Sequence, residues 1–302
     1  MAKERRALIG KVAAITGGAR GIGKATAEAL VRKGGRVAIG DLDAKVAEEA
    51  AGSLGGNAIA LPLDVTDRSS FEAFLEATER ELGPVDILVN NAGIMPVTPF
   101  VEETEESMRR QVDINVHGVL IGSQLAMRRM LPRNTGHIVN VASSAGKVGV
   151  PGIATYAATK HAVVGVSEAI RGELRDSGVE VSVVMPVLVN TALTEGLSEK
   201  RGVKEVEPED VASEIVAALE TGRFDVFVPK TLHATITMGA LLPRRVREAV
   251  GRLMEVDKVM SDVSDRRAYE QRAAQSKAEP DAREQDTAAD TEEPTEKQDA
   301  TA

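Results

Sequence analysis

The sequence predicts an α/β fold in which a single parallel sheet is wound on both faces by helices. Three observations carry this: seven short apolar runs, helix-length segments between them, and a glycine-rich turn directly after the first run. Strands that are apolar on both faces belong to a sheet covered on both sides, and right-handed crossovers then give one doubly wound domain.

The elements follow in order along the chain. Residues 11–16 (KVAAIT) form a short apolar run that ends at a glycine cluster, and a helical pattern covers 22–33. Strand-like runs recur at 36–40 (RVAIG), 58–63, 85–90 (VDILVN), 136–142 (GHIVNVA), 179–185 (VEVSVVM) and 224–228 (FDVFV). Between them lie helical stretches such as 69–82, 105–130, 155–176 and 208–220. This alternation is that of a Rossmann-like sheet of about seven strands. No repeat of roughly 20–50 residues interrupts it.

Composition narrows the function. The chain has 302 residues, 43% of them apolar and 27% charged, a mixture suited to a globular protein with a sizeable core. With 5 Phe, 2 Tyr and no Trp, aliphatic side chains and Ala must fill that core. The net charge of −9 argues against broad contact with a nucleic-acid backbone. Cysteine is absent, which removes disulfides, thiolate metal sites and cysteine nucleophiles. The four histidines, His117, His137, His161 and His233, show no metal-ligand spacing, and His117, His137 and His161, on patterned helix or strand positions, are assigned no catalytic role. No uncharged apolar run reaches the ~18 residues of a membrane span, and the charged start does not read as a secretion signal. A cytoplasmic protein is predicted.

The charge is uneven. Residues 268–302 carry ten acidic against four basic residues and contain no Leu, Ile, Val, Met or Phe. Such a stretch cannot bury enough apolar surface to offset its ordering entropy, so a disordered acidic tail is predicted. The expected organisation is a dinucleotide-binding catalytic domain over 1–229, a helical extension over 230–267 and that tail.

The turn after the first strand reads Thr16-Gly17-Gly18-Ala19-Arg20-Gly21-Ile22-Gly23 and opens a helix. Glycines let the backbone turn sharply and approach a pyrophosphate, while free N–H groups at the helix start attract its charge. The spacing is GxxxGxG, whereas the common dinucleotide fingerprint is GxGxxG.

With this spacing the chain resembles the compact form of the short-chain dehydrogenase/reductase superfamily, and further motifs in the same order extend the resemblance over roughly 10–228. Asn90-Asn91-Ala92-Gly93 closes the fourth strand as the family's NNAG does, Asn115 stands at the family's catalytic Asn, and Ser143 follows the fifth strand. Tyr156-Ala157-Ala158-Thr159-Lys160 is a YxxxK at the family's distance from that serine. One departure is Pro186-Val187-Leu188-Val189-Asn190-Thr191, where the family usually has Pro-Gly. Val lacks the freedom of Gly for positive φ or close approach.

The chemistry these residues could perform is hydride transfer. Tyr156 and Lys160 are four apart and share one helix face. A free tyrosine, with a pKa near ~10, is a poor base at neutral pH. A neighbouring ammonium and an oxidised nicotinamide would favour the phenolate. Ser143 would hold the substrate oxygen as an oxyanion-type donor. The resemblance implies that Lys160 also grips the ribose hydroxyls and that Asn115 supports a proton relay. Asp41 ends the second strand, where a carboxylate can accept both adenosine ribose hydroxyls and repel a 2′-phosphate, which predicts NAD(H) over NADP(H). Arg20 could pair with such a phosphate, and Asp43 is a competing acid. The resemblance further places Gly17, Gly21, Ile22, Gly23, Asp64, Val65, Asn91, Ala92, Gly93, Pro186, Val189 and Thr191 around the cofactor.

The substrate loop, 191–205, names no substrate. Ala154, Val187 and Leu193 are candidate walls of an apolar pocket, which leans toward a hydrophobic alcohol or ketone. The uncharged stretch 231–242, flanked by Lys230 and by Arg244, Arg245 and Arg247, reads as a core or subunit-contact helix in preference to an amphipathic flap that touches a membrane surface or covers a greasy substrate. The resemblance implies a homodimer or homotetramer built on the long helices at 105–130 and 155–176. Two other readings stay open. A sugar-nucleotide epimerase or dehydratase would space its glycines GxxGxxG and add a substrate domain. A cofactor-sensing protein without catalysis would lack Ser, Tyr or Lys at the three positions.

Overall fold

A computed structural model describes residues 5–194, 205–243 and 245–246. Its sheet has seven parallel strands in the order β3-β2-β1-β4-β5-β6-β7. These are β1 (Val12–Thr16), β2 (Arg36–Asp41), β3 (Ala58–Pro62), β4 (Ile87–Asn90), β5 (Gly136–Val141), β6 (Val179–Pro186) and β7 (Asp225–Val228). The order reverses between β1 and β4, so the carboxyl ends of these two strands open the crevice in which doubly wound sheets bind ligands. The predicted α/β doubly wound class is the one found.

Five helices were legible as periodic patterns: α1 (Gly21–Arg32), α3 (Arg68–Leu82), α6 (Ala154–Glu173), α7 (Pro208–Thr221) and the stretch from 105 to 130. Helix α2 (Ala44–Ser53) was not singled out, because its buried face consists only of Ala47, Ala50 and Ala51. Asp43 starts α2 by accepting from Val46 N, just as Asp67 caps α3 through Ser69 N and Ser70 N. The 105–130 stretch is divided: α4 (Glu105–Val112), a π-helical turn (Asp113–His117) and α5 (Gly118–Met130). Widened turns of this kind often mark functional positions, and this one carries Asn115.

Two cores lie on opposite faces of the sheet. One joins α1, α2 and α7 to Ile15, Val37, Val89 and Val184; the other joins α3, α5 and α6 to Ala14, Leu88, Ile138 and Val183. Alternate residues of β1, Ala14 and Ile15, serve opposite faces, as a strand buried on both sides requires. Met130 is fully buried in the second core.

After β7 the chain forms α8 (Thr231–Leu241), whose Leu232 and Ile236 pack on the second core. The His233 ring stacks on Phe227 of β7 with centroids 4.7 Å apart. Leu232 and Ile236 are half-buried on this face of α8, while Met238 and Leu241 are exposed. The rest of the predicted extension, the predicted acidic tail and residues 195–204 of the substrate loop lie outside the described residues. Among the described residues, no helix is long and apolar enough to cross a membrane.

Candidate active site

The carboxyl ends of the strands open into one cleft of about 1660 Å³. It brings together Gly17, Arg20, Gly21 and Ile22 of the first turn, Asp41 after β2, Asp64 and Val65 after β3, and Asn91, Ala92 and Gly93 after β4. Ser143, Tyr156, Lys160, Pro186, Val189 and Thr191 line the same cleft. Residues scattered over 175 positions of sequence thus share one cavity because parallel strands end at one edge. Two predicted site residues, Gly23 and Asn115, lie behind its wall.

The first turn is built for close approach. Gly17 has φ +60° and Gly21 φ +50°, backbone states that side chains disfavour. A Cβ on Gly23 would lie 2.3 Å from the Gly17 carbonyl oxygen and 2.7 Å from Asn91 Nδ2, so Gly23 permits the turn to fold back on α1. No side chain caps the start of α1 at Arg20, and its first turn holds no acid. Uncapped N–H groups beside a glycine cradle suit the pyrophosphate of a dinucleotide. Asn91 secures the turn by donating to the carbonyls of Thr16 (3.0 Å) and Gly17 (2.9 Å). The Thr16 hydroxyl, which sequence reasoning passed over as the last strand residue, accepts from the backbone N–H groups of Asn91 and Ala92, each at 3.0 Å.

At the other end of this turn, Asp41 Oδ2 accepts from Ala19 N (3.2 Å) and Oδ1 from Asp43 N (3.2 Å). Those bonds aim the carboxylate across the loop. Arg20 is held at 2.8 Å by Asp43, whose carboxyl lies below the usual range because of that hydrogen bond. Asp64 Oδ1 accepts from the backbone and hydroxyl of Thr66, which fixes the turn after β3.

Tyr156 and Lys160 occupy one face of α6, with the ammonium 5.6 Å from the ring centroid. Lys160 is fully buried, and desolvation pushes its pKa down to about 8. Its Nζ donates to the Val141 carbonyl at 2.9 Å, which points the amine along the end of β5. Ser143 Oγ accepts from Ala145 N (3.1 Å), so its own proton is not committed by that bond.

Asn115 is fully buried and works as a tie. Its Oδ1 accepts from Ile94 N (2.9 Å), and its Nδ2 donates to Ile94 O (2.9 Å) and Thr159 Oγ1 (3.1 Å). The Thr159 hydroxyl donates to the Tyr156 carbonyl at 2.7 Å. A Cβ on Gly93 would sit 3.2 Å from Asn115 Oδ1 and 3.6 Å from Lys160 Nζ, so Gly93 leaves the room in which these two groups converge.

The loop after β6 follows the sequence departure without strain. Val187 is not among the described residues with positive φ, and its N–H donates to Val228 O at 2.9 Å, prolonging the β6–β7 ladder. Val189 pairs with Val206, which fastens the loop on its far side. Of the three candidate pocket walls, Val187 and Leu193 line the cleft. Ala154 does not: it is exposed on the first turn of α6, and its neighbour Ile153 points inward. His137 is buried in β5 with its Nε2 2.8 Å from the Ser182 hydroxyl, and His117 lies on the surface beside Asp113. Among the described residues no cluster of His, Asp or Glu could hold a metal.

Comparison with known proteins gives the family. The model of the short chain dehydrogenase family matches residues 11–202. The chain belongs to that family. As a short-chain dehydrogenase it is a nicotinamide-dependent oxidoreductase. It is 41% identical over 194 residues to a sorbitol dehydrogenase of Cereibacter sphaeroides, covering 64% of this chain and 76% of the relative. To the 3-oxoacyl-[acyl-carrier-protein] reductase of Salmonella typhimurium it is 34% identical over 233 residues, 74% of this chain and 95% of that one. A short-chain dehydrogenase/reductase of Burkholderia phymatum, solved in complex with NAD, superposes with a TM-score of 0.72 at 26% identity, over 78% of this chain and 94% of the other.

Proposed function

We propose that this short-chain dehydrogenase interconverts an alcohol and a ketone with NAD(H), using Tyr156 as the acid/base. The observation that carries the reading is the convergence of Tyr156, Lys160 and Ser143 on the cleft that also holds the glycine turn and Asp41. When bound, the nicotinamide donates or accepts the hydride at the substrate carbon.

The chain's own residues supply the rest. The Ser143 hydroxyl donates to the substrate oxygen, and the Tyr156 phenol gives that oxygen its proton in reduction or removes it in oxidation. The Lys160 ammonium, close to the ring in a dry setting, favours the phenolate by Coulombic attraction. Asn115, through Thr159 and Ile94, holds α6 against the loop after β4 and so supports the proton path. Gly17, Gly21 and Ile22 receive the pyrophosphate, and Asp64 and Val65 flank the adenine. Pro186, Val189 and Thr191 face the nicotinamide amide. Asp41 accepts the adenosine ribose hydroxyls, which favours NAD(H). The Burkholderia phymatum relative, solved with NAD, supports this choice.

The same reading includes a cytoplasmic homodimer or homotetramer. Val112 and Leu120, 38% and 42% exposed on α4 and α5, are apolar positions a partner copy would cover.

The test is Tyr156→Phe. Loss of NADH-dependent carbonyl reduction by at least ~10²-fold, with NADH binding retained, supports the assignment. Turnover that survives the change removes Tyr156 from the chemistry.

A further inference from the structure

We infer that the substrate of this site is a secondary alcohol or ketone with an uncharged hydrocarbon body, and that α8 provides the wall that selects it. This rests on Tyr156 and Ser143 marking the reacting end of the cleft. The lining drawn from the segment after β5, the loop after β6 and α8 contains one charged side chain, Lys160, while the other charged lining residues come from the turns after β1, β2 and β3 and from α4 with its π-helical turn. What these later segments contribute to the lining is, apart from Lys160, aliphatic or hydroxylic, and α4 brings Glu105, Glu106, Arg109 and Arg110 to the same cleft.

The phenol itself stands in an apolar cluster. Met95, Ala145, Ile153 and Ala157 are buried against it, and Val150, Leu188 and Leu193 pack on the same group. Helix α8 supplies a wall from outside the motif-bearing part of the chain. Its Leu232 and Ile236, one turn apart, line the cleft together with Thr231 and Thr235. The His233–Phe227 stack fixes the helix on β7, so the wall belongs to the fold. Two of the hydroxyls in this part of the lining are turned onto the backbone: Thr194 donates to Val189 O (2.5 Å), and Thr235 to Thr231 O (3.3 Å).

A polyol would press several hydroxyls against the aliphatic carbon of these segments with few partners, and a charged acid set against the same carbon would lose its hydration there. A hydrocarbon body displaces water at no such cost. The inference thus separates this chain from the substrate in the name of its sorbitol dehydrogenase relative.

The experiment uses the full chain saturated with NADH, to which alcohols bind without turnover. Dissociation constants are measured calorimetrically for 2-butanol, 2-hexanol and 2-nonanol, and for D-sorbitol and D-lactate. Affinity that rises about two- to fourfold per methylene, with sorbitol and lactate weaker than 2-hexanol, supports the inference. A flat series, or tighter binding of sorbitol or lactate, overturns it. Ile236→Asp is expected to weaken 2-nonanol at least tenfold with NADH affinity kept; unchanged 2-nonanol affinity removes α8 from the wall. Turnover is read apart from binding. Failure to oxidise NADH with every matching ketone would sink the assignment of Tyr156 while the binding series still decides the substrate class.

Discussion

The Thr155 hydroxyl donates a 2.7 Å hydrogen bond to Glu103, and the next residue along α6 is Tyr156. The same carboxylate accepts from Ser107 Oγ (3.3 Å) and from the fully buried Gln111 through Nε2. Glu103 thereby pins the first turn of α6 to α4 from outside the cleft. It is a positioning residue, and a loosened α6 would displace the phenol from its reacting geometry.

Glu103→Ala is expected to lower kcat about tenfold, with KM and NADH affinity within about twofold of wild type. Glu103→Gln keeps an acceptor for Thr155 and should recover most of the loss. Steady-state kinetics with NADH titration by fluorescence read both effects. An equal fall for Gln and Ala would show that charge, and not the tie to Thr155, is what matters.

Lys160 is costly to the empty protein. Its pKa falls from 10.5 to about 8 on burial, so folding must desolvate an ammonium that the unfolded chain keeps in water. A drop of that size costs about 3 kcal/mol at pH 7. The sign is fixed by linkage: between pH 8 and 10.5 the unfolded chain binds more protons, so stability rises with pH across that window. Lys160→Met removes the cost and forfeits the bond to Val141 O, worth about 1 kcal/mol. Urea unfolding at pH 7 should show the variant more stable by about 2 kcal/mol, with activity lost. A destabilised Lys160→Met would mean that the buried ammonium is better compensated than this account allows.

Most of this arrangement was legible in the sequence, for identifiable reasons. The strands announce themselves because a sheet covered on both faces demands unbroken apolar runs, and the glycines at 17, 21 and 23 cannot be replaced without clash or positive φ. Tyr156, Lys160 and Ser143 are readable because their spacing is imposed by one helix turn and one strand end. The ties were not legible. Glu103 and Thr155 are ordinary residues near helix starts and Thr159 an ordinary polar residue within α6, and only the packing of α4 and the π-helical turn on α6 gives them partners. For Leu232 and Ile236 the sequence allows a core or contact helix and, less favoured, a cover over a greasy substrate, because nothing in a local pattern tells which cavity a helix lines. Asn115 was placed at the site by its motif, yet its amide faces Ile94 and Thr159 behind the cleft wall.

Cofactor choice should rest on two acids together. Asp41 is fixed by Ala19 N and Asp43 N, and Asp43 in turn occupies Arg20 at 2.8 Å. Removing Asp41 alone lifts the repulsion of a 2′-phosphate but leaves Arg20 engaged. Asp41→Ser combined with Asp43→Ser frees the guanidinium for that phosphate. The double variant is expected to bind NADPH at least tenfold more tightly than Asp41→Ser alone, and NADH more weakly than wild type. Fluorescence titration of the two cofactors measures this, and additive, independent effects would show that Arg20 plays no part.

Acid sensitivity should originate at the amino ends of the strands, away from the cleft. His137 of β5 is buried, and desolvation lowers its pKa from 6.5 to about 4; Glu180 opposes that shift and Arg6 reinforces it. Ser182 donates to Arg223 O at 2.6 Å, so it accepts the His137 Nε2 proton and leaves Nδ1 bare, 3.9 Å from Glu180. Glu180 is already paired with Arg6. Protonation of Nδ1 therefore brings a buried charge to an acid whose charge is largely spent. Between pH 6.5 and 4 the unfolded chain binds the extra proton, so stability is full above 6.5 and declines as pH falls through that range, by about 3 kcal/mol in all. His137→Gln cannot titrate. Its urea midpoint at pH 7 should lie below wild type because the buried ring is lost, yet its decline from pH 6.5 to 4 should be shallower by about that amount. Parallel declines in the two proteins would move the origin of the acid sensitivity away from His137.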